Sequence, residues 1–316
     1  MKYIIKIIVI SIILSSSMFA EIGGKTSLYE FLRNESSSRA AGLGGSFVCF
    51  PNDPNVIFYN PAGLATLDSK LASFGFLKHL MDVNAGYASY AQQLDFLRGY
   101  IGVGVQYYNY GGFEELNEVG EKIGDFNAGD FALTFGYARK TETNFYYGMN
   151  LKLIYSSIAD MSSAALAGDI GLFYSIPDEE INIGLSIQNC GVELKTYDGL
   201  SEGLPLDIKV GISKKLEHLP LNINLNFHHL NFSYNDFIER FKAFSVGGEF
   251  ILSQYFKLRV GYNNLRRLDL KLGSSSGMAG LSLGLGAQVN KYFFDYSFSS
   301  YGAIGGLHRI NLTTSL

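Results

Sequence analysis

The octapeptide LNINLNFH, residues Leu221–His228, alternates apolar and polar side chains at every step. Successive side chains of a β-strand point to opposite faces, so a period of two predicts a strand with one apolar and one polar face. Residues 145–156 repeat the pattern, and about fourteen segments of the chain share it. The sequence therefore predicts an all-β protein whose strands each carry two unlike faces.

The alternating segments begin near Leu71 and continue to the C-terminus. Periodicity and turn residues place strands at 71–78, 84–91, 99–110, 129–140, 144–156, 166–175, 181–189, 206–214, 220–230, 243–251, 255–263, 278–288, 290–299 and 306–316. Residues 21–69 are rich in Gly, Ser, Asn and Pro and lack sustained alternation. We therefore expect a separate leading segment over residues 21–69 and a strand domain over residues 70–316.

The connectors between the predicted strands alternate in length. Long connectors span 111–128, 157–165, 190–205, 231–242 and 264–277, and short ones span 141–143, 176–180, 215–219, 253–254 and Asn290. Outer-membrane barrels have short periplasmic turns and longer outside loops, and an even strand number places both chain ends on the periplasmic side. The sorting of connectors predicts a fourteen-stranded antiparallel transmembrane β-barrel with its long loops outside.

The N-terminus has the pattern of a secretory signal peptide over residues 1–20. Lys2 and Lys6 precede an apolar stretch at Ile7–Leu14, and Ser15–Ala20 leads to an expected cleavage after Ala20, with Met18 a weak match to the small-residue rule. No later segment of the sequence approaches 18 uninterrupted apolar residues. We therefore expect an exported chain that lies in the bacterial outer membrane, with the membrane lipids around it, and crosses the membrane with strands.

The composition fits this location. Of the 316 residues, 47% are hydrophobic and only 17% are charged, against about 25% charged in soluble domains. The net charge of −4 argues against nucleic acid as a partner. We expect Cys49 and Cys190 to be buried small hydrophobic residues, and a single bridge between them is left open.

The polar faces of the strands are predicted to line the lumen. A charge facing lipid at mid-membrane costs about 2–4 kcal/mol, so Lys257 and Arg259 belong inside. The predicted lumen-lining residues are Asn182, Gly184, Ser186, Asn222, Asn224, Asn226, Lys257, Arg259 and Gly284. Fourteen strands enclose more space than their own side chains fill. Water, a ligand or residues 21–69 must occupy that space, and residues 21–69 are the natural plug.

No motif in the chain predicts an enzyme or a cofactor site. None of the five histidines pairs with a serine or cysteine in a hydrolase pattern. Asn52, Asp53 and Asn55 are conceivable calcium ligands, but a stretch with one carboxylate favours a plain turn. The acidic stretch at residues 114–121 is expected to be a solvated outside loop, with partner docking as the alternative.

Residues 27–67 resemble the opening of the PorV/PorQ family of outer-membrane barrels. The resemblance in this segment is carried by Ser27–Leu32, by Ser38, Arg39, Gly42, Gly44 and Gly45, and by Asn60, Pro61, Ala62 and Gly63. It continues with a closer similarity to PorQ at Gly129–Leu133, Gly136–Arg139, Lys152–Ile158, Asp169–Leu172, Leu204–Ile208, Gly211–Leu216 and Gly306–Leu312. This family is related in fold to the FadL long-chain fatty-acid transporters, and the resemblance implies a FadL-like barrel with an N-terminal plug.

The resemblance also implies a function. It points to a non-enzymatic component of the type IX protein secretion system that anchors partners such as PorZ at the cell surface, together with PorU and PorV. On this hypothesis the outside loops 111–128, 190–205, 231–242 and 264–277 carry the partner contacts. The alternative is a FadL-like channel that takes up hydrophobic small molecules, with a ligand pocket in the lumen and the plug as its gate.

Overall fold

A computed structural model describes residues 27–78, 83–199, 201, 203–232, 237–270 and 277–316. Within these ranges the chain forms fourteen antiparallel strands, each paired with its neighbours in sequence, and β1 pairs with β14 to close the barrel. The predicted fourteen-stranded β-barrel is confirmed. The predicted signal peptide, residues 1–20, lies outside the described residues.

The strands lie between Leu71 and Ser315. They are β1 Leu71–Lys78, β2 Asn84–Leu94, β3 Gly99–Leu116, β4 Lys122–Lys140, β5 Phe145–Ile158, β6 Met161–Ile176, β7 Ile181–Lys195, β8 Asp207–Lys215, β9 Leu221–Phe227, β10 Phe244–Ile251, β11 Phe256–Asn263, β12 Leu281–Val289, β13 Tyr292–Ser300 and β14 Gly306–Ser315. No helix among the described residues is both long and apolar enough to cross a bilayer.

The two faces of each strand meet different surroundings, as β5 shows. Met149, Leu151 and Leu153 are exposed, whereas Asn150 and Lys152 between them are buried. Apolar side chains therefore point outward and polar ones inward, the reverse of a soluble protein. This arrangement suits a wall between lipid and a polar lumen.

The barrel wall is taller on one side. Strands β3 to β7 have 14–19 residues, whereas β8 to β14 have 7–10. The predicted loops 111–128 and 157–165 were therefore wrong in extent, since most of each is strand. Of the predicted loop 190–205, only residues 190–195 belong to a strand. Outward positions at Asn109 and Asn127 are polar, so the alternation ends there, while backbone pairing of β3 with β4 continues to Leu116 and Lys122.

Residues 27–69, called the inner segment below, lie inside the barrel. They form a short helix at Ser38–Gly42 and 3-10 turns at Glu30–Arg33, Pro54–Phe58 and Pro61–Thr66. The helix packs on β11–β14, the middle turn on β1–β3 and the last turn on β3–β6. The inner segment thus contacts the wall on nearly every side.

Side-chain caps fix these short elements. Ser37 accepts a hydrogen bond from the Ala40 amide at the start of the helix. Asp53 and Asn60 do the same for the two later turns, and each of these caps is followed by a proline in the first turn. Proline tolerates this position because its missing N–H would be unpaired there.

Candidate functional site: the barrel lumen

The outer half of the lumen contains an apolar cluster to which the inner segment contributes. The outer, or upper, end of the barrel is the end with the long connectors, and the lower end is the one with the short turns. Tyr29, Phe31 and Leu32 of the inner segment are buried there. The wall around them is formed mainly by small or apolar residues, namely Leu77, Ala85, Tyr108, Ala132, Ile154, Ala165, Ala167, Leu204 and Leu307. We call this volume the upper chamber.

Small wall residues give the upper chamber its width. Four of its wall positions are alanine, which leaves room that Tyr29, Phe31 and Leu32 occupy. The rings of Phe31 and Tyr108 lie 5.5 Å apart, and the Tyr29 hydroxyl hydrogen-bonds to the Ser163 hydroxyl. The side chains of the inner segment therefore fill this apolar volume.

An ion cluster ties the middle of the inner segment to the wall. The Arg39 guanidinium donates to both carboxylate oxygens of Glu249, at 3.0 and 2.9 Å, and to Asp53 at 3.3 Å. Arg259 donates to Glu249 and to Asp295, both at 2.6 Å. Every charge in this group has a partner of opposite sign, as burial requires.

A second ion cluster lies nearer the outer end. Glu35 of the inner segment accepts from Arg266 and, at 3.2 Å, from Arg309 on β14. Burial alone would raise the pKa of Glu35, but the two guanidinium groups outweigh it and hold the pKa below its ordinary value. Arg266 belongs to the outside helix Asn264–Asp269. This pair therefore links the inner segment to the connector between β11 and β12.

The motif Asn60-Pro61-Ala62-Gly63 docks on glycines of the wall. The Asn60 amide donates to the carbonyls of Val48 and Leu172 at 2.9 and 3.0 Å, and its oxygen accepts from the Ala62 amide at 3.1 Å. A methyl group added at Gly171 would lie 2.1 Å from Asn60 Oδ1. Gly148 and Gly184 also face this turn at close range.

The other predicted motif residues lie in the helix and the turn after it. Ser38 is buried, with its hydroxyl 3.4 Å from the Tyr87 hydroxyl. Gly42 lies against Gly284 of β12, one of the predicted lumen residues. Gly44 and Gly45 have φ of +67° and +85°, so glycine is favoured at both turn positions.

The lower half of the lumen holds a cavity of about 720 Å³ that opens among the short turns. Asn182, Asn222, Asn224 and Lys257 line it, together with Arg259. The Asn182 amide donates to Ser213 at 3.3 Å. The two remaining predicted lumen residues, Ser186 and Asn226, are buried above this cavity.

The structure corrects the expected burial of Cys190 and shows which groups the Asp53 carboxylate contacts. Cys49 is buried, but Cys190 is exposed because it points outward from the upper part of β7, and both are free thiols. The Asp53 carboxylate binds the backbone and side chain of Asn55 and the Arg39 guanidinium. It is thus used by a turn and an ion pair, and no group of three metal-ligating side chains occurs among the described residues.

Sequence reasoning missed the acidic partners of the lumen. Glu249 lies directly opposite Arg259 across β10 and β11, and Asp295 lies two strands away from Arg259. Each acid occupies an inward position of its strand. Marking every charged residue that falls on the inward face of the alternating pattern would therefore have found both acids. The apolar residues Tyr29, Phe31 and Leu32 gave no such signal, since they lie in a segment without periodicity.

Comparison with known proteins identifies the fold. No family model and no curated protein matches the chain. The Pseudomonas putida toluene transporter TodX is similar in structure at 12% identity and a TM-score of 0.58, over 87% of this chain and 96% of that one. The Ralstonia pickettii toluene transporter TbuX is similar at 12% identity and a TM-score of 0.57, over 87% of this chain and 95% of that one. A Pseudomonas aeruginosa FadL homologue is similar at 12% identity and a TM-score of 0.56, over 89% of this chain and 98% of that one. The chain therefore has the fold of FadL-like outer-membrane barrels.

Proposed function

We propose that this chain is a FadL-like channel that takes up hydrophobic small molecules across the outer membrane. The observation that carries the proposal is the upper chamber, an apolar volume with small wall residues that is filled by Tyr29, Phe31 and Leu32. Ligand sites are usually concave and mostly apolar. Movement of these three side chains would open such a site at the outer end.

The solved structures with this fold support the same proposal. TodX and TbuX are described as toluene transporters, and CymD, at a TM-score of 0.56, as a monoaromatic hydrocarbon channel. The ion cluster of Arg39, Glu249 and Arg259 lies toward the lower cavity, and it is consistent with a passage that admits apolar molecules at the outer end and blocks a straight aqueous path. Removing one partner of such a buried ion pair would cost about 3–5 kcal/mol.

Toluene binding to the purified barrel tests the channel. We expect wild-type barrel to bind toluene, and Phe31→Ala to bind it more tightly by about tenfold because less side chain must be displaced. Phe74→Ala is the matched control, since Phe74 faces lipid and is 59% exposed. Titration calorimetry in detergent measures the toluene affinity of the wild type and of each variant. Binding to Phe31→Ala alone would reflect an engineered hole and would reject the proposal, as would binding to neither.

A second candidate function is docking of partners in a type IX secretion system. It is favoured by a two-stranded ribbon, residues 110–127, in which the outer ends of β3 and β4 pair, among the described residues, only with each other. Phe113 and Phe126 stack there at 5.2 Å, and Leu116 and Ile123 are 55% and 61% exposed. A ribbon of two strands is marginally stable alone in water, so a partner would stabilise it.

Shortening the ribbon tests the docking function. Replacing residues 111–126 by a short turn should abolish recovery of co-expressed PorZ, PorU or PorV homologues while leaving the barrel folded. Shortening the connector at residues 141–143 at the opposite end is the control. Unchanged partner recovery from a folded ribbon variant would exclude this ribbon as the docking surface.

A further inference from the structure

Three polar side chains form a row across the wall beside the upper chamber. Asp130, Ser156 and Ser163 lie on the neighbouring strands β4, β5 and β6, where Asp130 is opposite Ser156 and Ser156 is opposite Ser163. All three are buried, and the Ser156 hydroxyl donates to the Asp130 carboxylate. We call these three residues the polar row.

Each member of the polar row accepts or shares a hydrogen bond with a tyrosine hydroxyl, and the three tyrosines come from three different elements. The pairs are Tyr110 of β3 with Asp130 at 2.5 Å, Tyr197 of the connector after β7 with Ser156 at 2.6 Å, and Tyr29 of the inner segment with Ser163. A phenol group is therefore the partner that each position of the polar row takes within this chain.

A second contact of Ser163 fixes the direction of its bond to Tyr29. The Ser163 hydroxyl donates its own hydrogen to the carbonyl of Lys195 at 2.8 Å. Its oxygen therefore accepts a hydrogen from the Tyr29 hydroxyl. Because Ser163 is fully buried, a hydroxyl donor is the group that it needs from any occupant of this position.

The wall below Ser163 is small and apolar. Ala165 and Ala167 follow Ser163 on the inward face of β6, and Ile154 of β5 lies opposite Ala165. These residues belong with Tyr29 to the apolar cluster of the upper chamber. The site thus combines an apolar volume for a ring with one hydrogen-bond acceptor at its upper end.

Tyr29 is held in an unfavourable backbone conformation. Its φ of +61° and ψ of +34° lie in the left-handed region, which is uncommon for any residue but glycine and costs energy for a bulky one. The Tyr29 side chain is nevertheless only 5% exposed. Release of Tyr29 would relieve this strain, so a free molecule with the same ring and hydroxyl can compete for its position.

We propose that the upper chamber binds a para-substituted phenol in place of the Tyr29 side chain, with the hydroxyl of the ligand donating to Ser163. The inference rests on the proposed channel function and names the substrate class of that channel. The tyrosine side chain without its backbone is p-cresol, and toluene is the same molecule without the hydroxyl. A site built to pair a hydroxyl discriminates against an analogue that leaves the polar group of the site unpaired.

Paired titrations of p-cresol and toluene against the purified barrel test the proposal. The ratio of p-cresol affinity to toluene affinity should fall about threefold to tenfold in Ser163→Ala, because the net contribution of one hydrogen bond is lost. The ratio cancels any effect of the variant on Tyr29 itself, since both ligands displace the same ring. Ser162→Ala is the matched control, because Ser162 is the adjacent residue on the other face of β6 and should leave the ratio unchanged.

The outcomes separate this inference from the channel function. Toluene binding without p-cresol binding would overturn the phenol assignment and leave the channel standing. An unchanged affinity ratio in Ser163→Ala would do the same. Binding of neither ligand to the wild-type barrel would overturn both.

The variant Tyr29→Phe tests where the ligand binds. p-Cresol should bind this variant about threefold to tenfold more tightly than it binds the wild type, because the ring to be displaced no longer donates to Ser163. Tyr107→Phe is the control, since Tyr107 points outward from β3 and is 48% exposed. Unchanged p-cresol affinity in Tyr29→Phe would place the ligand elsewhere in the barrel and overturn the proposal.

Discussion

At the scale of single residues, glycines on the lumen face determine where the inner segment fits. Gly171 admits the turn at Asn60, and a methyl group there would lie 2.1 Å from Asn60 Oδ1 and 2.8 Å from the Pro61 ring. Gly86 is the opposite case, because a methyl group there would meet nothing within 4 Å. The glycines of β6 and β2 thus have unlike roles.

This contrast predicts unlike effects of alanine. Gly171→Ala should destabilise the folded barrel by about 1–3 kcal/mol through overpacking, because both Asn60 and Pro61 must move. Gly86→Ala should change stability by less than about 0.5 kcal/mol. Urea unfolding in detergent, followed by loss of heat-modifiable mobility, measures both. Equal midpoints for the two variants would contradict the close packing described for Asn60.

Glu35 carries a buried charge that links the inner segment to Arg266 and Arg309. Glu35→Gln leaves Arg266 and Arg309 without their carboxylate, and breaking one partner of a buried pair costs about 3–5 kcal/mol. We expect faster amide exchange across Ser36–Leu43, with unchanged exchange in the strands. Glu30→Gln is the control, because Glu30 pairs with Arg33 on the surface and is 48% exposed.

The pH dependence of this contact follows from the same charges. The pKa of Glu35 is lowered in the folded protein. Its contribution is therefore complete at neutral pH and is lost as pH falls through the lowered pKa, below the ordinary range of a glutamate. Amide exchange of Ser36–Leu43 should stay constant between pH 7 and pH 5 after correction for intrinsic rates. An increase already at pH 6 would contradict the direction of the shift.

At the scale of elements, the strands were predictable and their outer ends were not. Period-two alternation marks a strand only where one side meets lipid and the other the lumen, and this held from Phe145 to Tyr155 of β5. Above the lipid the outward residues become polar, as at Asn109 and Asn127, although backbone pairing continues. Strand pairing beyond the membrane produces no alternation of apolar and polar residues. The sequence pattern therefore predicted a loop over residues 111–128.

The inner segment shows a similar limit. Its caps at Asp53 and Asn60 follow local rules and were visible as turns. Its position inside the barrel depends on contacts between residues far apart in sequence, such as Arg39 with Glu249. Such pairs have no local signature, so the apolar site at Tyr29, Phe31 and Leu32 could be found only from the structure.

The ribbon formed by β3 and β4 is separable from the barrel. Within the part of the chain that the structure describes, its residues 112–116 and 122–127 have strand partners only in each other. Shortening the ribbon should therefore leave the free energy of unfolding of the barrel within about 0.5 kcal/mol of the wild-type value. Urea unfolding of the ribbon variant checks this, with Gly171→Ala as a destabilised reference. A large loss of stability would mean that the ribbon contacts the barrel wall.

At the scale of the whole molecule, the barrel is a wide tube closed by its own chain. Fourteen strands enclose more volume than side chains fill, and barrels of 16–18 strands leave an aqueous channel. Here the inner segment occupies that volume and contacts β1–β6 and β11–β14. We therefore expect that residues 27–69 close the lumen and that the wall without them is an open pore.

Removing the inner segment tests this division of roles. A barrel that lacks residues 21–66 should conduct ions steadily in planar bilayers, whereas the wild type should stay closed, because the lumen would fill with water once its occupant is gone. If that variant does not fold, Arg39→Ala in the full chain serves instead. It removes the charge that links Glu249 to Asp53 and should give brief openings. Silent bilayers with a folded deletion variant would show that the wall closes the lumen by itself.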